Sequence, residues 1–431
     1  MEEFSVPLRE RTNRQIPPGR RGRMAGRAAV SNLRLPVLYA SCFTVVLILV
    51  LVAVLGAGGP AMSSRSVPMV KPADHSSVTV PSLSAEASVL MDSQTGQVLY
   101  EWNADERLAN ASTTKICTAI VVLENSDLQD KVTVSERAAS TGESGISLTA
   151  GEQLTVEQLL YAMLVQSAND AATALAEHVG GSVERFADMM NEKAKLLGAV
   201  NTHFVNPHGL DDPNHYTTAR DLGVMGSYAM QKPIFRKMVT TPSYTIPWPG
   251  HPWDRVATAH NKFLGLYQYA TGIKTGLTDR AGYCLVGSAT KNGRELVSVV
   301  LGCVHDTFYS DTITLMEYGF NDFTNPRFDA TGTPLQVEVG DFPRTTVQVA
   351  DPGQPDVLMR RDRLMAIDQG QLQLKRWIPY GVHQGDELGS LVMEGGQTGS
   401  IVLPLKADRD ISQPGFFRQA ASFFQALISP G

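Results

Sequence analysis

Cysteine is scarce, at 4 in 431 residues. Cys42 lies in an apolar run, leaving Cys117, Cys284 and Cys303, an odd set without paired spacing and each in apolar surroundings. That excludes a disulfide framework and makes buried, unreactive thiols the expected state. An excess of positive charge is missing as well. The net charge is −6, which excludes broad nucleic-acid binding, since that needs clustered Lys and Arg. Metal-type spacing is also lacking. His203, His208 and His215 with Asp211 or Asp212 fall in a Pro/Gly-rich loop without the helical His-x-x-x-His spacing that zinc sites often use, so no metal and no organic cofactor is expected. What remains is ordinary globular composition, 43% hydrophobic, 19% charged and 7% aromatic, in a chain long enough to bury a large core and to hold two domains.

The N-terminus departs from that average. Residues 1–35 carry Arg9, Arg11, Arg14, Arg20, Arg21, Arg23, Arg27 and Arg34 against Glu2, Glu3 and Glu10, and with Pro17, Pro18 and several glycines they read as a disordered basic tail. The segment 36–57 contains Val37–Leu55, an uncharged run rich in Val and Leu. It is long enough to span a bilayer, and the arginines before it place the N-terminus in the cytoplasm. An uncleaved anchor is favoured over a signal peptide because the apolar core exceeds the usual ~7–15 residues, although Ala57-Gly58-Gly59 would suit a peptidase. Residues 58–83, rich in Ser, Pro and Val without helical period, read as a linker that lifts the rest off the membrane.

Residues 84–325 form the expected main domain. Ala87–Met91 and Gln97–Glu101 read as a hairpin around Gly96, and helical patterns follow at 115–124, Thr155–Ser167, Asp170–Val179, Val183–Leu197 and Thr217–Met230. Three strands then return, Thr271–Lys274, Tyr283–Thr290 and Glu295–Gly302, the last two joined by the strong hairpin pair Asn292-Gly293. Helices between two sets of strands predict an α+β domain with a largely antiparallel sheet. Residues 330–408, with short strands at Leu335–Val339, Thr345–Val349, Gln371–Leu374 and Ser400–Leu405, predict a small all-β domain. Residues 414–431 hold an amphipathic helix, Phe416–Ile428, suited either to a membrane interface or to packing on the β domain.

Three short motifs carry chemistry. Ser112 and Lys115 stand three apart at a helix start, so the amine sits against the hydroxyl. Serine is a poor nucleophile until a neighbour takes its proton, and lysine does so only if burial or a second cation disfavours its ammonium form. Alone this pattern is common, and its plain alternative is a serine cap. Ser167-Ala168-Asn169 at a junction between helices and Lys274-Thr275-Gly276 at a strand end make the joint occurrence hard to attribute to chance.

With these motifs, with Asn206-Pro207-His208-Gly209-Leu210-Asp211, His215–Asp221 and Gly272–Cys284, the chain resembles the serine D-alanyl-D-alanine carboxypeptidases of peptidase family S11, the low-molecular-mass penicillin-binding proteins, over about residues 84–325. The resemblance implies a serine β-lactamase/DD-peptidase-like fold followed by a β domain and an amphipathic tail. It implies that Ser112 forms an acyl-enzyme with a peptidoglycan stem peptide ending in D-Ala–D-Ala, and that β-lactams acylate the same serine. Lys115 would be the base, Ser167 the proton relay and Asn169 the holder of Lys115 and the substrate amide. Lys274 and Thr275 would receive the terminal carboxylate, Gly276 would leave room for the substrate, and the N–H groups of Ser112 and Leu277 would hold the oxyanion. Arg294 resembles a family position near the carboxylate, though a solvated turn arginine is the simpler reading. The expected setting is the outer side of a bacterial cytoplasmic membrane, in cell-wall metabolism. The rivals are a β-lactamase, for which no deacylating glutamate can be assigned, a metal-dependent carboxypeptidase, and a membrane-tethered penicillin sensor that acylates without turnover.

Overall fold

In the computed structural model, residues 62–73, 79–329, 335–340, 344–349, 357–394 and 400–428 are described. The basic tail and the apolar run 37–55 lie outside them. Among the described residues no helix is long and apolar enough to cross a membrane.

The first strand, β1 (Met62–Val70), falls inside the stretch expected to be a linker and corrects that expectation. Of its residues only Val67 and Met69 are buried, so the sequence shows almost no apolar period to announce it. Its strand state is imposed from far along the chain, as described below.

The sheet that positions the site consists of β2 (Ala87–Asp92), β3 (Val98–Trp102), β4 (Ala270–Thr278), β5 (Gly282–Lys291) and β6 (Arg294–Cys303). Their order is β3-β2-β6-β5-β4, and every pairing is antiparallel. Alternation along the strands divides two cores. Val89, Met91, Val297 and Val299 face one side, while Leu90, Leu296 and Val300 face the other, the period-two pattern of a sheet covered on both faces.

Five longer helices cover the first face: α1 (Lys115–Asn125), α2 (Val156–Val165), α3 (Asn169–Gly180), α4 (Val183–Leu196) and α5 (Ala219–Met230). Helix α2 starts with a capping box, Thr155 accepting from the Gln158 N–H and Gln158 accepting from the Thr155 N–H. Helix α1 is buried along its first eight residues, so it runs through the interior with neighbours all round. Helix α6 (Thr307–Asp322) covers the other face through Leu315 and Met316, with buried Phe263 beside it.

The β part is built from β7 (Arg327–Phe328), β8 (Gln369–Lys375), β9 (Glu387–Glu394) and β10 (Ser400–Lys406) together with β1, in the order β7-β1-β8-β9-β10. Strand β1 pairs with β8 from Met62↔Lys375 to Pro68↔Gln369, then switches to β7 at Met69↔Phe328. Pro68, which has no N–H to give, sits at the switch. A second small sheet joins Gln336–Val339 to Thr345–Gln348 and to Trp377–Ile378. Strand β9 was not expected from the sequence. The two parts are not separate bodies, since Ala61–Gly431 is one compact unit, tied by the pairs Phe323↔Arg360 and Thr324↔Met359 and by Gln97, whose amide bonds both backbone groups of Leu358. The last helix, α7 (Phe416–Ile428), keeps Phe416 and Phe417 in solvent, 78% and 88% exposed.

Candidate active site

Ser112 stands where an irregular turn becomes helix. Ala111 takes a left-handed φ of 46°, and one 3-10 turn, Ala111–Thr114, leads into α1. The turn is stapled from within by buried Asn110, whose amide donates to Thr113 Oγ1 at 3.1 Å and Thr114 Oγ1 at 2.9 Å. His215 braces it from outside. Its Nδ1 accepts from the Val205 N–H, so Nε2 carries the proton and donates to Thr114 Oγ1 at 2.8 Å.

Lys115 is wholly buried. Its Nζ lies 2.7 Å from Ser112 Oγ, 2.7 Å from Asn169 Oδ1 and 2.8 Å from the His208 carbonyl. Two of these partners can only accept. A neutral amine has two N–H bonds and one lone pair, so donating to Asn169 and His208 leaves the lone pair facing the Ser112 hydroxyl. Burial, with the Lys274 ammonium beside it, holds the Lys115 ammonium well below its ordinary value, against the opposing fields of Glu143 and Asp170.

The other two motifs converge on the same place. Ser167 joins α2 to α3 with a left-handed φ of 65°, an uncommon state for serine that the packing around it must enforce. Its Oγ accepts from Lys274 Nζ at 3.0 Å, and the same ammonium donates to the Thr275 carbonyl at 2.9 Å. Burial pushes Lys274 down to about 7. Strand β4 is the edge of its sheet, and the expected strand end at Lys274 is in fact mid-strand. Alternation then puts Lys274 and Gly276 on the buried side, with Thr275 half-buried and Leu277 54% exposed on the other. A Cβ at Gly276 would come within 3.0 Å of the Asn110 carbonyl oxygen and 3.1 Å of the Ser112 nitrogen, so only glycine leaves the Ser112 N–H clear.

Several residues outside the predicted set build the walls. The loop after α4 is shaped by Asn206, whose Oδ1 accepts from the Gly209 N–H and whose Nδ2 donates to the Leu210 carbonyl; this presents the His208 carbonyl to Lys115. Gly209, at φ 89°, presses on the serine turn so closely that a Cβ would lie 1.9 Å from the Ala111 oxygen. Asp170 follows the Ser-x-Asn motif, and its carboxylate accepts from the Ile146 and Leu148 N–H groups. Asn169 Nδ2 donates to the Gly142 carbonyl, so the start of α3 holds the 142–148 loop beside the site. An acidic residue in the first turn of a predicted helix was the available signal for Asp170.

The histidines considered for a metal are otherwise engaged. Beyond His215, His203 Nδ1 meets the Asn214 carbonyl, and burial pushes His208 and His215 down to about 3 and about 4, keeping both neutral. Arg294 is half-buried at the hairpin turn and not at this site. It sits at the far end of the β5–β6 hairpin, donating to the Phe323 carbonyl and Asn325 Oδ1. Burial raises the thiols of Cys117, Cys284 and Cys303, the first two fully buried, which makes them unreactive.

The profile of the family described as "Peptidase_S11: D-alanyl-D-alanine carboxypeptidase" matches residues 74–304. The D-alanyl-D-alanine carboxypeptidase DacF of Bacillus subtilis is 33% identical over 342 residues, covering 77% of this chain and 87% of that protein. The chain belongs to the S11 family of D-alanyl-D-alanine carboxypeptidases. The D-alanyl-D-alanine carboxypeptidase DacC of Escherichia coli is 32% identical over 378 residues, 81% of this chain and 90% of that protein. Among solved structures, the Streptomyces K15 DD-transpeptidase superposes with a TM-score of 0.53 at 36% identity, covering 56% of this chain and 99% of its own. A D-alanyl-D-alanine carboxypeptidase from Mycobacterium tuberculosis gives 0.55 at 32% identity, over 60% of this chain and 98% of that one. The expected α+β DD-peptidase fold is therefore the one present, as S11 membership requires.

Proposed function

We propose that this S11 protein is a serine carboxypeptidase that removes the terminal D-alanine from peptidoglycan stem peptides and is acylated by penicillin at the same serine. The observation that carries the reading is the buried Lys115 amine, 2.7 Å from Ser112 Oγ with its two N–H acceptors already supplied. Ser112 attacks the penultimate D-alanine carbonyl as Lys115 takes its proton, and the N–H groups of Ser112 and Leu277 receive the developing oxyanion. Collapse breaks the peptide bond. The proton passes to the leaving amine from Lys115 or by way of Ser167, and water then cleaves the ester. Asn169 holds the Lys115 amine and the substrate amide. Lys274 with the Thr275 hydroxyl takes the terminal carboxylate. Gly276 on the free edge of β4 lets the stem peptide lie against the strand as an added strand would.

The same proposal places the enzyme at the bacterial cell membrane, with the catalytic unit outside the cytoplasm. The charge-free run Val37–Leu55 behind a basic tail and the exposed Phe416 and Phe417 of the terminal helix support it.

The test is D-alanine release by the full chain from a pentapeptide ending in D-Ala–D-Ala, with and without penicillin. Release that penicillin blocks is the expected result. Stable penicillin labelling without release would identify a sensor instead, and rapid penicillin hydrolysis a β-lactamase.

A further inference from the structure

Far from Ser112, the turn of the β5–β6 hairpin meets the β part over a cavity of about 160 Å³. Its lining is Lys291, Asn292 and Arg294 of the hairpin, Phe320 in the last turn of α6, Phe323 and Thr324 just after it, and Arg361. Lys291 and Arg294 are paired across the hairpin. Like charges directly opposite on adjacent strands repel; burial disfavours the charge on Arg294 most, and Arg361, a third cation, adds to that. Among the described residues none of the three is in an ion pair. Lys291 Nζ reaches only the Asn321 side-chain oxygen and the faces of Tyr269 and Phe320. Arg294 donates to the Phe323 carbonyl and Asn325 Oδ1, and Arg361 Nε donates to the Asn321 carbonyl. The carboxylate whose field favours the Arg294 charge, Asp92, has one oxygen already accepting from the Gln94 and Thr95 N–H groups and the Thr95 hydroxyl.

We infer that this cavity is a binding site for a phosphoryl group, with Lys291, Arg294 and Arg361 supplying its charge partners. Three positive charges around one small space match a group carrying more than one negative charge better than a single carboxylate. Two guanidinium forks suit the several oxygens of a phosphate. Phe320 and Phe323 give the wall an apolar side that would face whatever organic portion carries the phosphoryl group. Because the lining comes from both the catalytic sheet and the β part, an occupant there would bridge them.

The full chain is titrated with inorganic phosphate, with sn-glycerol 3-phosphate and with acetate at constant ionic strength, following heat by calorimetry and the thermal midpoint. Phosphate is expected to bind and raise the midpoint while acetate does not. Lys291→Glu, at a hairpin position that need not disturb the fold, should weaken phosphate at least about tenfold, and so should Arg361→Gln. Penicillin labelling of Ser112 serves as the check that each variant is folded, and labelled protein should still bind phosphate. Vesicles of phosphatidylglycerol and of phosphatidylcholine separate the sources. Lys291-dependent binding to the former alone would name a lipid headgroup, and phosphate binding without it a soluble or polymer-borne phosphoryl group. Equal responses to acetate and phosphate, no response to either, or phosphate binding unchanged in folded Lys291→Glu would overturn the inference.

Discussion

The catalytic sheet and the β part are built by the same antiparallel pairing, yet their interiors differ in kind. Among the described residues every buried polar or charged side chain lies between Ser88 and Thr312, including Lys115, Asn169, Asp170, His215 and Lys274. The core of the β part is Val, Leu, Ile, Met and Ala without one of them. Burying a polar group costs free energy unless each of its bonds is made, and Lys115, Asn169 and Lys274 of the candidate site are among those retained, each with hydrogen-bond partners. One part carries the reaction, and the other is packing. Each prediction below tries to break that division or to draw it more finely.

The largest effect is expected at Ser112, the proposed nucleophile. Ser112→Ala should leave a folded protein that takes no covalent penicillin label and loses D-alanine release by on the order of 10⁴-fold or more. Intact labelling, read by mass spectrometry, would move the nucleophile elsewhere. Lys115→Arg comes next, with an expected loss of about 10²–10⁴ in the acylation rate. It keeps a cation in the same place, but a guanidinium cannot give up its proton near neutral pH. An active arginine variant would mean that Lys115 serves by charge alone.

A smaller loss is expected of Gly276→Ala, where the only change is one methyl group on the sheet edge. With 3.0 Å to the Asn110 oxygen and 3.1 Å to the Ser112 nitrogen, the methyl must push strand and serine turn apart. Displacements of that kind cost up to about 10²-fold in rate. Second-order acylation by penicillin should fall while the melting midpoint hardly moves. Unchanged acylation would show that the Ser112 N–H is not part of the oxyanion hole.

The pH dependence follows from the two lysines. With Lys115 as the proposed base, acylation needs it neutral, so kcat/KM should fall on the acid side as it takes up a proton. On the proposed mechanism, binding the terminal carboxylate needs Lys274 charged, and burial lets that ammonium dissociate at about 7 rather than at its ordinary 10.5. The alkaline limb of kcat/KM should therefore begin near 7. A bound carboxylate favours the ammonium, so the limb of kcat should stand at higher pH than that of kcat/KM. Coincident limbs would place Lys274 away from the carboxylate.

How much of this was legible in the sequence tracks how local its cause is. The hairpin at Asn292-Gly293, the helix that starts at Thr155 and the helix beginning at Lys115 are fixed by neighbouring residues, and all stand where the pattern put them. The three motifs were legible because the chemistry restricts which residue types serve. Strand β1 was not, because its polar alternation becomes a strand only when β8, some three hundred residues away, offers an edge. The same holds for His208, whose contribution is a backbone carbonyl that any residue type could supply. Arg294 makes the complementary point: its resemblance to a carboxylate-binding position did not hold, and it stands at the hairpin turn, the simpler of the two readings.

The smallest expected effect on activity tests the division itself. Leu391 is 1% exposed and pairs with Leu372 and Leu403 across the β sheet, so Leu391→Ala removes a fully packed side chain. It should cost about 2–5 kcal/mol of stability, read as a lower denaturant midpoint for the β part. At temperatures where the variant is folded, kcat/KM on the pentapeptide should stay within about twofold, because none of the contacts around Ser112 passes through that core. A matching Val299→Ala, in the sheet beneath the site, should lower both. If Leu391→Ala slowed turnover as much as Val299→Ala, the shared pairs at Phe323↔Arg360 and Thr324↔Met359 would be transmitting strain into the catalytic sheet. The β part would then belong to the catalytic machinery rather than to its support.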